Sequence, residues 1–217
     1  MKNIITLLTV LLLSSLATSQ DEGKFWYFGT NAGLDFSTSP PTPLNNGSLD
    51  SFEGCSTISD DIGNLLFYTD GTTIWNKNHI PMPDGTGLSG NASSAQSSTI
   101  IKVISSTNLY YVFTISAASG LQYSLINMTL DNGLGNIVPG RKNIPIQSST
   151  QEKVSVTLNL QGDGYWIVTF NDPTYTAYRA SGGVIDIANK VDSTLPVTSS
   201  LSDQRGMLKF SPPDGSS

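Results

Sequence analysis

Beyond residue 20 the apolar positions do not recur at helical spacing. They come in short runs rich in β-branched and aromatic residues, separated by clusters of Gly, Asn, Asp and Ser, which is the pattern of antiparallel strands joined by tight turns. Cys55 to Ser59, Leu65 to Thr69 and Thr72 to Asn76 read as a three-stranded meander, with turns at residues 60–64 and at Asp70-Gly71. The Asp-Gly pair predicts a type I′ hairpin turn, which takes positive φ at both central positions. A second set predicts strands at Ser98 to Ile104, Leu109 to Ile115 and Leu121 to Met128, a turn at Asp131-Asn132-Gly133, and a short fourth strand at Asn143 to Ile146. A third runs through Lys153 to Leu160, Tyr165 to Phe170 and Thr174 to Ala180, ending before Gly182-Gly183.

The second strands of the three sets align. Leu65-Leu66-Phe67-Tyr68-Thr69, Leu109-Tyr110-Tyr111-Val112-Phe113-Thr114 and Tyr165-Trp166-Ile167-Val168-Thr169 each follow a turn and end at Thr. Their spacing is close to the roughly 40–50 residues of one propeller blade. Continuous apolar runs without alternation suit strands covered on both faces, so the units are expected to stack face to face about an axis. The fold class predicted is all-β, a β-propeller of four-stranded antiparallel blades spanning residues 20–217, with about three blades and the start of a fourth at Gly206-Met207-Leu208-Lys209-Phe210 before a turn at Pro213-Asp214-Gly215. Because propellers close with about four to eight blades, this count implies an incomplete, truncated ring. The alternative for the same strands is a β-sandwich.

At the N-terminus, Met1-Lys2 precedes an apolar run from Ile4 to Leu16 and then Ala17-Thr18-Ser19. The run is too short for a membrane span and reads as a signal peptide, residues 1–19, cleaved before Gln20. A secreted or cell-surface protein with no membrane span is the expectation. With 11 Lys+Arg against 17 Asp+Glu, a net charge of −6, the chain lacks the cation cluster that nucleic acid requires. The 30 Ser, 22 Thr and 16 Asn make it rich in turns and hydroxyls, while 38% apolar residues suffice for a core. Cys55 is the only cysteine, so no internal disulfide forms; it is expected to be a small buried strand residue.

Several stretches resemble a known family. Phe25-Trp26-Tyr27-Phe28-Gly29, Ala32-Gly33-Leu34-Asp35-Phe36, residues 53–60, residues 63–71, Ile74-Trp75-Asn76, Met82-Pro83, Gly87-Leu88, residues 93–97 and residues 110–114 are similar to the N-terminal propeller modules of large secreted Bacteroidetes surface proteins. The resemblance implies gliding-associated or adhesin-like proteins that often carry PKD repeats and a C-terminal sorting domain for type IX secretion. It brings no catalytic residues with it.

The search for chemistry yields few candidates. His79 is the only histidine, so two-histidine metal motifs are excluded; beside turn residues, it suits an exposed turn or a structural hydrogen bond. Gly85-Thr86-Gly87-Leu88-Ser89-Gly90 has the spacing of a dinucleotide loop but lacks the helix that would receive a pyrophosphate, and reads as a flexible inter-strand loop. Neither cofactor nor metal is expected. Asp35, Glu53, Asp60, Asp70, Asp163 and Asp172 are the candidates for a glycosidase carboxylate pair, and turn chemistry accounts for them; calcium binding by turn carboxylates stays open, although no loop has the ligand spacing of an EF-hand. Trp26, Trp75 and Trp166, with Tyr27, Tyr68, Tyr110 and Tyr165, are expected mostly in blade cores; Trp75, at a strand end, and His79 are the ligand-binding candidates. Asn-x-Ser/Thr matches at Asn46, Asn91 and Asn127 are expected to be idle. The function expected is a non-enzymatic platform that binds a surface glycan or protein, with a secreted carbohydrate-active hydrolase and a purely structural spacer as the alternatives.

Overall fold

The computed structural model describes residues 21–196 and 205–211. The expected signal peptide and the expected turn at Pro213-Asp214-Gly215 lie outside the described residues.

The described chain is all-β and divides into four antiparallel sheets, none closed on itself, rather than the two of a sandwich. Sheet 1 holds β1 (Phe25–Phe28), β2 (Ala32–Asp35) and β3 (Thr42–Leu44). Sheet 2 is the meander β4 (Ser56–Ser59), β5 (Leu65–Thr69), β6 (Thr73–Asn76) and β7 (Pro81–Thr86). Sheet 3 holds β8 (Ser98–Lys102), β9 (Leu109–Ser116) and β10 (Gly120–Asn127), with β11 (Asn136–Ile137) and β12 (Ile144–Gln147) sharing the far side of β10. Sheet 4 is the meander β13 (Val154–Leu158), β14 (Gly164–Asn171), β15 (Thr174–Ser181) and β16 (Val184–Thr194).

The sheets stack face to face in chain order, because successive side chains on a strand point to opposite faces. On β5, Tyr68 packs with Tyr27 of sheet 1, and the adjacent Phe67 packs with Tyr110 and Val112 of sheet 3. On β9 the alternation continues: Tyr110 and Val112 face sheet 2, while Tyr111, Phe113 and Ile115 join Ile167 and Tyr178 of sheet 4. Seven consecutive residues of β9 are therefore buried, and each large apolar side chain so covered contributes about 1.5–3 kcal/mol. The first strands run side by side, β1 against β4, β4 against β8 and β8 against β13. The segments leading into them interlock: Gly54 N–H donates to the Ser94 carbonyl at 3.1 Å, and Ala95 N–H donates to the Glu152 carboxylate at 3.1 Å.

The Thr that ends each aligned run has a structural counterpart. Thr69, Thr114 and Thr169 each pair with the first residue of their sheet's first strand, Ser56, Ser98 and Val154. All three are fully buried. Thr69 Oγ1 donates to the Thr73 carbonyl at 2.6 Å and accepts from Gly71 N–H at 3.0 Å. Thr169 Oγ1 donates to the Lys153 carbonyl at 2.8 Å and also meets the Thr150 hydroxyl. Thr114 Oγ1 has no protein partner among the described residues.

Several local expectations need correction. At the Asp70-Gly71 turn only Gly71 takes positive φ, at 88°. Asp70 turns the chain with its carboxylate instead, accepting from Thr72 N–H at 2.7 Å and Thr73 N–H at 2.8 Å. The expected flexible loop at Gly85–Gly90 begins inside β7 and continues under constraint: Leu88 N–H donates to the Thr72 carbonyl at 2.9 Å and Gly90 N–H to the Gly71 carbonyl at 3.0 Å. Pro81 and Pro83 are tolerated because β7 is the last strand of its sheet, where a missing donor costs no ladder bond. Sheet 1 and β16 were not anticipated as strands. Gly206 to Phe210 forms no strand; the Leu208 peptide is held by the Gln96 side-chain amide, which accepts from its N–H at 2.7 Å and donates to its carbonyl at 3.2 Å.

Candidate functional site

The two ligand-binding candidates, Trp75 and His79, meet in one cluster between sheets 1 and 2. Cross-strand pairing sets Trp75 of β6 directly beside Tyr68 of β5, and the two rings stack at 5.6 Å and 16°. Tyr27 of β1 stacks on Tyr68 from the sheet 1 side, at 4.6 Å and 20°. The result is an aromatic ladder of Trp75, Tyr68 and Tyr27, each pair adding about 0.5–1.5 kcal/mol beyond the area it buries. His79 closes the ladder, its ring tilted edge-on to Tyr27 with the two centroids 5.2 Å apart.

His79 reaches this place because the β6–β7 turn folds around Asn76. That side chain is buried, and its Oδ1 accepts from Asn78 N–H at 2.9 Å and Ile80 N–H at 3.3 Å. The turn puts His79 at φ 62°, a left-handed conformation in which histidine is enriched. Its carbonyl accepts from Ser48 Oγ at 2.8 Å. Tyr27 Oη donates to Asn46 Oδ1 at 3.1 Å, leaving Asn46 Nδ2 to face His79 Nε2 at 3.0 Å. Nε2 is then the acceptor, and Nδ1–H donates to Tyr68 Oη at 3.0 Å, which also accepts from Ser48 N–H at 2.9 Å. Every polar atom of the ring is used by the neutral imidazole. Burial pushes its pKa below the ordinary histidine value, in keeping with that network.

Beside the ladder, where β1 meets β4, lies a recess of about 240 Å³ lined by Trp26, Tyr27, Phe28, Cys55, Ser56 and Thr57. Cys55 sits just ahead of β4 and is half-buried rather than a fully buried strand residue. Its thiol donates to the Tyr27 carbonyl at 3.4 Å. Burial, and secondarily the Asp70 charge, raises its pKa, so the nucleophilic thiolate is disfavoured.

The candidate carboxylates are distributed among turns. Asp35 accepts from Ser37 N–H at 2.8 Å, Asp60 from Ile62 N–H at 3.1 Å and Asn64 N–H at 2.8 Å, and Asp163 from Asn159 Nδ2 at 2.6 Å and from Arg179. Asp172 lies in the β14–β15 turn, and the Glu53 backbone is tied to Ala92. Glycosidic general acids need a raised pKa. Hydrogen bonds from Ser37 lower that of Asp35, and the Asn159 and Arg179 side chains lower that of Asp163. Burial pulls Asp60 upward, but hydrogen bonds from Asn64 and Ile62 outweigh it and its pKa is lowered too. Among the described residues no three His, Cys, Asp or Glu side chains gather in a metal-binding group, and no helix is long and apolar enough to cross a membrane.

Sequence reasoning missed Asn46 and Ser48, which complete the cluster. Asn91 and Asn127 serve local turns, accepting from Ser93 N–H and Thr129 N–H, each at 2.9 Å. The aromatic rings of Trp166 and Tyr165 lie in sheet 4, far along the chain from the ladder, and Tyr110 packs between sheets 2 and 3. No family model, curated protein or solved structure matches this chain.

Proposed function

We propose that the chain is a secreted, non-enzymatic module with propeller-type stacking, related to the gliding-associated, type IX secretion surface proteins it resembles, and that it serves as a rigid platform for binding a surface glycan or protein. The stacking of four sheets with adjoining first strands supports the propeller geometry. Sheets 2 and 3 are covered on both faces, which holds their turns in fixed relative positions, and loops on rigid scaffolds are where recognition residues collect. The observation that carries the binding role is the Trp75–Tyr68–Tyr27 ladder capped by His79 and Asn46. Tyr68 and Tyr27 are buried and His79 and Asn46 are bonded within the protein, so the half-buried Trp75 at the end of the ladder is the ring left to stack on the C–H face of a sugar.

The direct test is a panel of defined polysaccharides and oligosaccharides titrated against the wild-type chain and Trp75→Ala, with turnover followed in parallel. Retention without hydrolysis, and at least about a tenfold loss of affinity in Trp75→Ala, equivalent to about 1.4 kcal/mol, is the expected result. Release of reducing ends would replace this reading with the hydrolase. The spacer reading is favoured by one observation, that both ring nitrogens of His79 are already engaged within the protein. It becomes the conclusion if no glycan or surface protein binds and Trp75→Ala changes only stability.

A further inference from the structure

The cap of the aromatic ladder contains a dipeptide with chemistry of its own. Asn46 is followed by Gly47, one of two Asn-Gly pairs in the chain, the other being Asn132-Gly133. In such a pair the glycine nitrogen can reach the asparagine carboxamide carbon, because no side chain shields it and the backbone is free to turn. The two pairs differ in what holds the attacking nitrogen. Gly133 N–H donates to the Leu130 carbonyl at 3.1 Å inside a tight turn. Gly47 N–H has no hydrogen-bond partner among the described residues and lies outside any strand, beside an exposed Asn46. The ladder itself imposes this glycine. A Cβ at residue 47 would stand 2.7 Å from the Tyr27 ring, so no bulkier residue can shield the carboxamide without displacing that ring.

We propose that Asn46 is a self-modification site, and that its conversion to a carboxylate turns the neutral His79 cap into an ion pair. The Gly47 nitrogen, losing its proton to solvent base, bonds to Asn46 Cγ; the Cγ–Nδ2 bond breaks, and the amide nitrogen takes up a proton and leaves as ammonia. Water then adds to one carbonyl of the cyclic imide and breaks its bond to the ring nitrogen, giving aspartate or its isomer. No oxidant or reductant is consumed. Asn46 Nδ2 must leave His79 Nε2 for the ring to close, and one neutral hydrogen bond at an exposed side chain slows that step by no more than about tenfold. In the aspartate product a carboxylate oxygen replaces the amide donor that faced Nε2 at 3.0 Å. Two sets of lone pairs then oppose each other, and one proton on Nε2 relieves them. The imidazolium donates through Nε2 to the new carboxylate and through Nδ1 to Tyr68 Oη, while Tyr27 Oη keeps an oxygen acceptor at residue 46. The titratable groups against the ring are the phenols of Tyr27 on β1 and Tyr68 on β5. Asn46 and Ser48 meet it from the segment after β3, and burial alone, with no charged neighbour contributing, sets its present lowered pKa. The new charge therefore acts without a competitor, as a charge-assisted hydrogen bond.

In the untagged chain His79 is the only histidine and gives a single imidazole signal by NMR. Incubation at mildly alkaline pH, followed by peptide mapping by mass, is expected to show the amide-to-acid change at residue 46 of the folded chain. Asn46→Gln, whose longer side chain closes a less favoured ring, should show none. Titration of the imidazole signal should give a proton affinity at least about tenfold higher in the purified aspartate product, and in Asn46→Asp, than in the wild type. Denaturation midpoints should follow. With the folded pKa above 6.5 rather than below it, the stabilisation from His79 is full at pH below 6.5 and lost as pH rises through the folded value, the reverse of the wild-type slope. A residue 46 still unconverted in the folded chain after the urea-unfolded chain has converted overturns the inference. So does a converted chain whose His79 binds its proton no more tightly than before, an outcome read on the converted wild type even if Asn46→Asp does not fold. No ligand enters these readouts, so a failed conversion at Asn46 and a failed sugar titration at Trp75 are separate results.

Discussion

The three threonines that end the aligned strands offer a sharp test of the packing, because the same substitution at equivalent positions should have opposite effects. Thr→Val keeps the side-chain shape and removes only the hydroxyl. In Thr69→Val the Thr73 carbonyl loses its 2.6 Å donor and the Gly71 N–H is left buried without its 3.0 Å acceptor. A lost neutral hydrogen bond costs about 1 kcal/mol and a stranded buried group about 1–3 kcal/mol, so a loss of about 2–3 kcal/mol is expected. Thr169→Val removes the bond to the Lys153 carbonyl, but Thr150 Oγ1 keeps the Phe170 carbonyl as its acceptor at 2.9 Å, and about 1–2 kcal/mol is expected. Thr114 Oγ1 is buried and holds no protein partner among the described residues. Replacing it by a methyl removes a desolvation penalty, and the result should lie between no change and a gain of about 1 kcal/mol. With a urea m-value of about 2–3 kcal/mol/M for a domain of this size, Thr69→Val and Thr114→Val should differ by roughly 1 M in midpoint at unchanged m. If Thr114→Val lowers the midpoint as far as Thr69→Val does, the distinction drawn between the two hydroxyls is refuted.

Three further outcomes are expected. The neutral His79 of the folded chain implies that stability is full above the ordinary pKa of 6.5 and declines as pH falls from there through the lowered folded-state value, because the unfolded chain binds the proton first; denaturation midpoints across that window should slope in the wild type and flatten in His79→Gln, and an equal slope in both would reject the assignment. Gly120→Ala, at φ 69° where β10 begins, with the Gln147 and Ser148 backbone against the added methyl, should cost more than about 2 kcal/mol in chemical denaturation, and a cost below about 0.5 kcal/mol would contradict the crowding. The raised pKa of Cys55 predicts that a thiol reagent labels the native chain at least about tenfold more slowly than the urea-unfolded chain; equal rates would show that burial does not protect it.

What the sequence revealed and what it concealed follow from the same packing. The runs at Leu65 and Leu109 were legible because a strand covered on both faces must be apolar at successive positions; the run at Tyr165 is as apolar although one face of its sheet joins the core, and the structure sets all three as the second strands of separate sheets. Sheet 1 was not legible: its strands are only three or four residues long and one face is open, so no continuous apolar run marks them. Two prolines disguised β7, and β16 is polar and exposed along most of its length. Trp75 and His79 could each be singled out, but their meeting could not. Asn46 joins His79 across 33 residues and Ser48 joins Tyr68 across 20, and no periodicity within a strand encodes such contacts.

The ladder itself depends on a parity that runs through the stack. Tyr68 and Trp75 face sheet 1 because their neighbours Phe67 and Ile74 face sheet 3, and a slip of one residue in the β5–β6 register would exchange the two sets. The register is held at the strand ends, where the Asp70 carboxylate gathers the Thr72 and Thr73 amides and Asn76 gathers those of Asn78 and Ile80. These polar turn residues therefore decide which aromatic rings meet Tyr27. Substituting Asn76 by Ala should disturb the site more than its distance from the stacked rings suggests: His79 would lose the turn that holds it at positive φ, and with it the bridge from Tyr68 to Asn46. Near-ultraviolet circular dichroism reports this ordering of the aromatic rings. A spectrum unchanged in a folded Asn76→Ala variant would mean that the ladder holds itself together without the turn.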